Sequence, residues 1–358
     1  MTHDEARGLF PVLEHAAYLN AGTFGPLARA TADAIAKQAR RDVEHGRSGK
    51  PYFDEMLATR SDVRDRIARL LGTAADRVAV TSSTTDGCNI VLAGLDLRPE
   101  DEIVTTDAEH FGLAGPVFAS GATVRVARAS TMSGEPLLDA IVAEVTPRTR
   151  LLAVSHVLWR TGAVLDVHEL KARTGLAVLV DGAQSVGAIP VDVGALDFYT
   201  VSGQKWLCGP DSTGALYVAD PDALRVARPS YFAQESFEPG GRFVAKPGAQ
   251  RFDSGWTSLA TLKGLAAALS LGPEWGYERI AELAARCRDA LNGVVTAPDQ
   301  AGLVTFEPDG DAEQVAARLL EQDVVVRNLP GTPWVRASCG WWNDESDLER
   351  LARGVRGP

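Results

Sequence analysis

Disulfide and metal chemistry find little to work with in this chain. Its 358 residues hold four cysteines, Cys88, Cys208, Cys287 and Cys339, with no CxxC pairing and no metal-ligand spacing. Neither a disulfide framework nor a zinc site is expected, and a reducing compartment is the simple reading. The six histidines are scattered. No apolar run approaches the roughly 18 residues of a membrane span, and the opening MTHDEARGLF is acidic, without the apolar core of a secretory signal. A cytoplasmic protein is expected. Basic excess is missing as well: the net charge is −11 and the pI about 5.1, which argues against nucleic acid or an anionic membrane as a main partner. There is no internal repeat and no low-complexity tract. What is abundant is apolar content, 45% of residues, enough for a large core and for one large and one small domain.

The order of elements points to an α/β chain. Helical spacing is read over 27–44 and 53–71, joined by HGRSGKPY, with strands at 77–81, 102–105, 123–127 and 151–156. Helices are expected at the start of SSTTDGCNIVLAGL, at 137–145 and at 167–174. Strand and helix alternate for over a hundred residues, the pattern of a doubly wound, mostly parallel sheet. Residues 219–250 read as loop, followed by helices at 259–271 and 275–291. A small α+β unit closes the chain, with strands at 302–306, 324–327 and 334–338 and helices at 312–321 and 345–355. The division expected is 1–20 as a segment packing with the small domain, 21–272 as the large domain and 273–358 as the small one.

Two apolar runs in VLVDGAQSVGAIPVDVGALDFYTVSGQKWLCGP carry the chemistry. The first, 177–180, stops at Asp181-Gly182; the second, 198–201, stops at Ser202-Gly203 and is followed by Lys205. In a parallel sheet the carboxyl ends of the strands form the ligand crevice, so an acid and a lysine arrive at one place. Pyridoxal phosphate suits that pair. The lysine amine forms a Schiff base with the aldehyde, and the carboxylate keeps the ring nitrogen protonated. A desolvated lysine, with its lowered pKa, also serves as nucleophile and proton shuttle. Ser82, Ser83, Thr84 and Thr85 crowd the start of one helix, more hydroxyls than a cap needs. With the free N–H groups there they suggest a phosphate cradle. His110, just past the strand at 102–105, reaches the same rim and is a candidate to stack on the cofactor ring.

From YLNAGTFGPL to RASCGWWNDESDLERL, and most specifically in DGAQS, SGQKW and STGALYV, the chain resembles the class V aminotransferase family of fold-type I pyridoxal phosphate enzymes. That family includes cysteine desulfurases, cystine C–S lyases and isopenicillin N epimerase-like proteins. The resemblance implies Lys205 as the Schiff-base lysine and Asp181 as the ring-nitrogen partner. It implies Gln184 as a donor to the ring's phenolic oxygen, His110 as the stacking ring, and Ser83, Thr84, Thr85 and Ser202 as phosphate contacts. Arg336 in VRAS is similar to the arginine that holds the substrate α-carboxylate through two bonds; Asn20 is placed on the substrate side. A homodimer is implied too.

Four departures from the family stand out. Gln204 occupies a position where many relatives carry His, and it is still able to donate to a phosphate. Arg160 in HVLWRTG falls where cystine-lyase-like relatives have Asn, adding a cation that could meet a second carboxylate. Trp256 replaces the Thr by which a neighbouring subunit often touches the phosphate, so that contact passes to Thr257 or is lost. Finally, VVVRNLPGTPWVRAS has no cysteine where persulfide-forming desulfurases have theirs. The missing cysteine argues against a desulfurase. SHVLWRTG, VDGAQSVGAIPVDV and QKWLCGP resemble the segments of cystine and cysteine-conjugate C–S lyases, a resemblance that implies β-elimination from cystine or an S-substituted L-cysteine. Epimerisation or transamination is the alternative, and Trp159, Trp206 and Trp256 suggest an aromatic-lined pocket. A third idea, a serine hydrolase built on Ser185 in AQSVG, suffers from the last histidine, His168, preceding the serine.

Overall fold

The computed structural model describes residues 1–236, 238–295 and 300–356; Phe237, inside the loop expected over 219–250, lies outside them. A seven-stranded sheet runs in the order Val78–Thr81, Gly214–Val218, Phe198–Ser202, Ala177–Asp181, Thr149–Ser155, Glu102–Thr106, Thr123–Ala127. Gly214–Val218 is antiparallel to both its neighbours, and the other six strands are parallel to one another. Period-two alternation divides every strand between two cores. Val78, Val80, Leu152, Val154, Val178, Val180, Tyr199 and Val201 face the helices Gly49–Leu70, Gly134–Val142, Val167–Thr174 and Leu259–Ala268. Ala79, Leu151, Ala153, Leu179, Phe198 and Leu216 face Thr84–Gly94 and Phe111–Phe118. Each fully buried Val or Leu contributes roughly 1.5–3 kcal/mol; the central strands are covered on both faces, while the edge strand Thr123–Ala127 is mostly half-buried. This is the helix-covered, fold-type I sheet expected.

Three expectations change in detail. The second long helix starts at Gly49 rather than 53, taking in the second half of the expected linker; Pro51 is tolerated because the first turn has no intrahelical partner for its missing N–H. Residues 219–250 hold a short hairpin, Gln234–Ser236 against Val244–Ala245. The single strand expected at 324–327 is two strands in two sheets. Val324–Val325 pairs in parallel with Ala17–Tyr18, while Arg327–Asn328 joins a three-stranded antiparallel sheet with Val335–Ser338 at its centre and Leu303–Phe306 beyond. The chain changes sheets at Val326 because the N-terminal segment occupies the first position. That segment is anchored further on: Arg7 donates to the buried Asp347 carboxylate at 2.8 and 3.1 Å.

Candidate active site

Asp181 is the last residue of its strand and is 3% exposed. The turn after it must be glycine, since a Cβ at Gly182 would lie 2.2 Å from the Tyr199 ring and 2.3 Å from the Thr200 carbonyl oxygen. The carboxylate accepts from the Ala183 N–H at 2.9 Å and from Thr200 Oγ1 at 3.4 Å. Burial raises its pKa, and Lys205 and those two donors oppose the rise. Lys205 follows the next strand. Burial lowers its ammonium to about 8; Asp181 resists that, while Arg336 and Arg327 add to it. The backbone here is braced by the N-terminal turn: Gly25 N–H donates to the Gln204 carbonyl at 2.8 Å, and a Cβ on Gly25 would sit 2.1 Å from the Lys205 carbonyl oxygen.

The polar groups around this pair are largely engaged. Gln184 donates to the Gly22 carbonyl at 2.8 Å and accepts from the Trp206 indole at 3.0 Å, leaving one amide N–H for a ligand. Ser202 Oγ donates to Gln204 Oε1 at 2.8 Å. His110 caps the helix Phe111–Phe118 by accepting from Gly112 N–H at 3.1 Å and meets Trp159 edge-on, ring centroids 5.1 Å apart. Burial first, then Lys205, Arg336 and Arg327, bring its pKa down to about 4. The ring is neutral at physiological pH.

At the start of Thr84–Gly94 the four hydroxyls divide. Ser83 is spent as the N-cap, accepting from Asp86 N–H at 3.1 Å, and exposed Ser82 donates to the Asp86 carboxylate. The hydroxyls of Thr84 and Thr85 make no hydrogen bond among the described residues. Ser254 also donates to Asp86, and the loop carrying it is held by a buried cluster in which Asp253 accepts from Arg64 at 2.6 Å and from Val80 N–H at 2.8 Å. Thr257, two residues past Gly255, reaches no residue of the cradle through a hydrogen bond among the described residues. Trp256 beside it is 65% exposed and packs on Phe53, Tyr231 and Phe232.

Opposite the rim stands a row of the small sheet. Thr305, Arg336 and Arg327 are register partners across the three strands, so their side chains share one face. Arg336, 2% exposed, donates to the Trp159 carbonyl at 2.7 Å and to Thr23 Oγ1 at 3.3 Å. Thr305 donates to the Arg160 carbonyl, and the Arg160 guanidinium lies 5.2 Å from the Trp159 ring centroid. Burial and Arg327 lower Arg336 to about 9. Among the described residues no carboxylate pairs with any of these three arginines. Arg336 Nε, Arg160 Nε, Trp159 Nε1, Asn20 Oδ1 and Ser338 Oγ are buried without a hydrogen-bond partner there. Asn20 bridges to Ser338 through its backbone, which puts it on the same wall. Arg327 escaped the sequence reading; its one signal was a charge inside the apolar run VVVRN.

Ser185 is fully buried and bonds to the Tyr199 hydroxyl and the Gly182 carbonyl, and His156 reaches Tyr199 rather than the serine. A nucleophile with no access to substrate and no base is not a hydrolase centre. Among the described residues there is no cluster of His, Cys, Asp or Glu able to hold a metal, and no helix is long and apolar enough to cross a membrane. The residues present suit pyridoxal phosphate: a buried acid for the ring nitrogen, a half-buried lysine for the aldehyde, threonines at a helix N-terminus for the phosphate, and a neutral ring to stack.

The pattern of the aminotransferase class-V family matches residues 20–351. Isopenicillin N epimerase of Streptomyces clavuligerus is 29% identical over 98% of this chain and 96% of its own length. A cysteine desulfurase of Enterobacter sp. strain 638 is 32% identical over 72% of this chain and 66% of its own. Among solved structures, the cystine C–S lyase C-DES in complex with its reaction product cysteine persulfide superposes with a TM-score of 0.88 at 29% identity, covering 96% of this chain and 98% of that one.

Proposed function

The chain belongs to the aminotransferase class-V family, and on that footing we propose that it is a pyridoxal-phosphate-dependent C–S β-lyase. Its substrate is cystine or an S-substituted L-cysteine, and its products are pyruvate, ammonia and a thiol or persulfide. When bound, pyridoxal phosphate supplies an aldehyde for an amine and a ring that withdraws electrons from the substrate α carbon. Lys205 provides the attachment amine and, once displaced, takes the α proton at Nζ; with a pKa near 8 a usable fraction is free amine near neutral pH. Asp181 would hold the ring nitrogen, Gln184 would donate its remaining N–H to the ring oxygen, and neutral His110 would cover the ring face. Thr84, Thr85, Ser202 and Gln204 take the phosphate together with the helix N-terminus, Ser83 serving as its cap. Arg336 receives the α-carboxylate with Arg327 beside it, Asn20 lines the same wall, and Arg160 receives a second carboxylate.

One observation carries the choice of reaction. All four cysteines are buried, and 324–335 contains none, so no thiol of this chain is placed to accept sulfur as a desulfurase requires. Sulfur leaving the β carbon goes to solvent. The full-length likeness to a cystine C–S lyase supports the same reading. Protein loaded with pyridoxal phosphate and given L-cystine should release pyruvate, and Lys205→Ala should lower that rate at least ~10³-fold, the loss of a positioned base. Epimerisation is the second reading, favoured by the full-length likeness to isopenicillin N epimerase; no pyruvate, with α-proton exchange in heavy water, would make it the first.

The proposal includes a cytoplasmic homodimer with the division 1–20, 21–272 and 273–358. The aromatic face of Tyr231 and Trp256, 60% and 65% exposed, supports a second copy docking beside Thr257, which would then meet its neighbour's phosphate. Sedimentation of wild type against Trp256→Ala tests this.

A further inference from the structure

Beside Asp181 lies another carboxyl, for which the mechanism above has no use. Glu109 precedes His110 and turns back into the sheet, where it accepts from Thr106 Oγ1 at 2.7 Å and from Ser155 Oγ. Thr106 in turn accepts from Ala108 N–H at 3.1 Å, so the turn that delivers His110 is closed onto its own strand. Ser155 is the register partner of Asp181 on the adjacent parallel strand, so the two side chains share one face. The other titratable groups facing Glu109 are Asp181 and the Cys88 thiol. Among the described residues no cation pairs with it.

This environment suits two charge states. Hydroxyls rotate: Thr106 and Ser155 donate to a carboxylate, and either is able to accept from a carboxylic acid. Glu109 therefore gains or loses a proton without releasing the His110 turn. Burial is the larger influence, and with Asp181 it brings the carboxyl up to about 7 against the opposing hydroxyls.

We propose that Glu109 is a positioning residue of the cofactor cradle, a second carboxyl that seats His110 in either charge state and, when its proton leaves to solvent, adds a negative charge one strand away from Asp181. It touches neither substrate nor ring; it acts through Asp181 and His110. In the ionised form the rim favours a protonated ring nitrogen more strongly. The ring part of this inference rests on the pyridoxal phosphate reading.

Glu109→Gln keeps the shape and the hydrogen bonds and cannot ionise. In an infrared pH titration of the holoenzyme, wild type should show the carbonyl stretch of a protonated carboxylic acid that fades as pH rises through about 7, and Glu109→Gln should lack it. With cofactor labelled at the ring nitrogen, the ¹⁵N shift should drift over that interval in wild type and stay flat in the variant. The apoprotein gives an independent reading. A carboxyl whose folded pKa is raised stabilises the fold below the unfolded value, and that contribution is lost as pH rises through the folded one. Relative to wild type, Glu109→Gln should thus gain a few °C in melting temperature between pH 5 and pH 8. Absence of the acid band at every pH, or its persistence in Glu109→Gln, overturns the proposal. A titrating band with an unmoved ring nitrogen overturns the coupling to Asp181. Failure to bind pyridoxal phosphate overturns the cofactor reading, while the apoprotein titration still decides whether Glu109 exchanges its proton.

Discussion

The two walls of the site are built on different terms. On the sheet rim, Asp181, Gln184, Ser202 and Gln204 each have partners within the fold, and Asp181 has an opposite charge in Lys205. On the arginine wall Arg327 and Arg336 are directly opposite on antiparallel strands, Arg160 lies against Trp159, and among the described residues five polar atoms there are buried without partners. Like charges so placed cost roughly 0.2–1 kcal/mol, and each buried unsatisfied group about 1–3 kcal/mol. The rim is stable as folded. The opposite wall carries unpaired cations and unsatisfied donors, and on the function proposed above that contrast separates a standing cofactor site from a site that waits for an anionic substrate.

Substitutions can break or sharpen the contrast. The largest effect should come from the rim: Asp181→Asn removes the charge that holds the ring nitrogen, and kcat should fall ~10³-fold with KM little changed, as for an interaction made in the transition state. A change confined to KM would mean that the rim contacts substrate and would erase the distinction. Arg336→Ala should instead raise KM ~10²-fold, the worth of a charge-assisted pair of hydrogen bonds. Added dicarboxylate anions should raise the melting temperature of wild-type apoprotein more than that of this variant. Arg160→Ala is the smallest test. It should reduce the preference for dianionic over neutral S-substituted cysteines ~10-fold, and an unchanged preference would leave Arg160 without a second carboxylate to bind.

The same contrast explains what the sequence discloses. Asp181 and Lys205 are legible because one ends an apolar run and the other follows close after one, and a strand buried on both faces writes such a run. The small domain is legible at Leu303–Phe306 and Val335–Ser338 but not between them: Val324–Val325 and Arg327–Asn328 are two residues each, too short for a period to show, so they read as one strand and Arg327 lost its face. Glu109 was invisible for another reason. A charge after a strand is ordinarily solvated, and only the register of Ser155 with Asp181 places it in the rim. The Ser185 motif, already weakened by the order of serine and histidine, fails on access as well, which local spacing does not report and Tyr199 denies.

Ala17–Tyr18 lies against Val324–Val325, and Thr23 receives the Arg336 guanidinium. A ribosome makes those partners about three hundred residues apart, a delay of roughly 15–60 s at ordinary elongation rates. The strands that carry Asp181 and Lys205 are finished well before, with Val218 the last residue of the sheet. A nascent chain thus completes the strands that flank the proposed cofactor place while the wall proposed to select substrate is still being translated. On that proposal capture and choice are separated in time during synthesis as they are across the crevice in the finished fold.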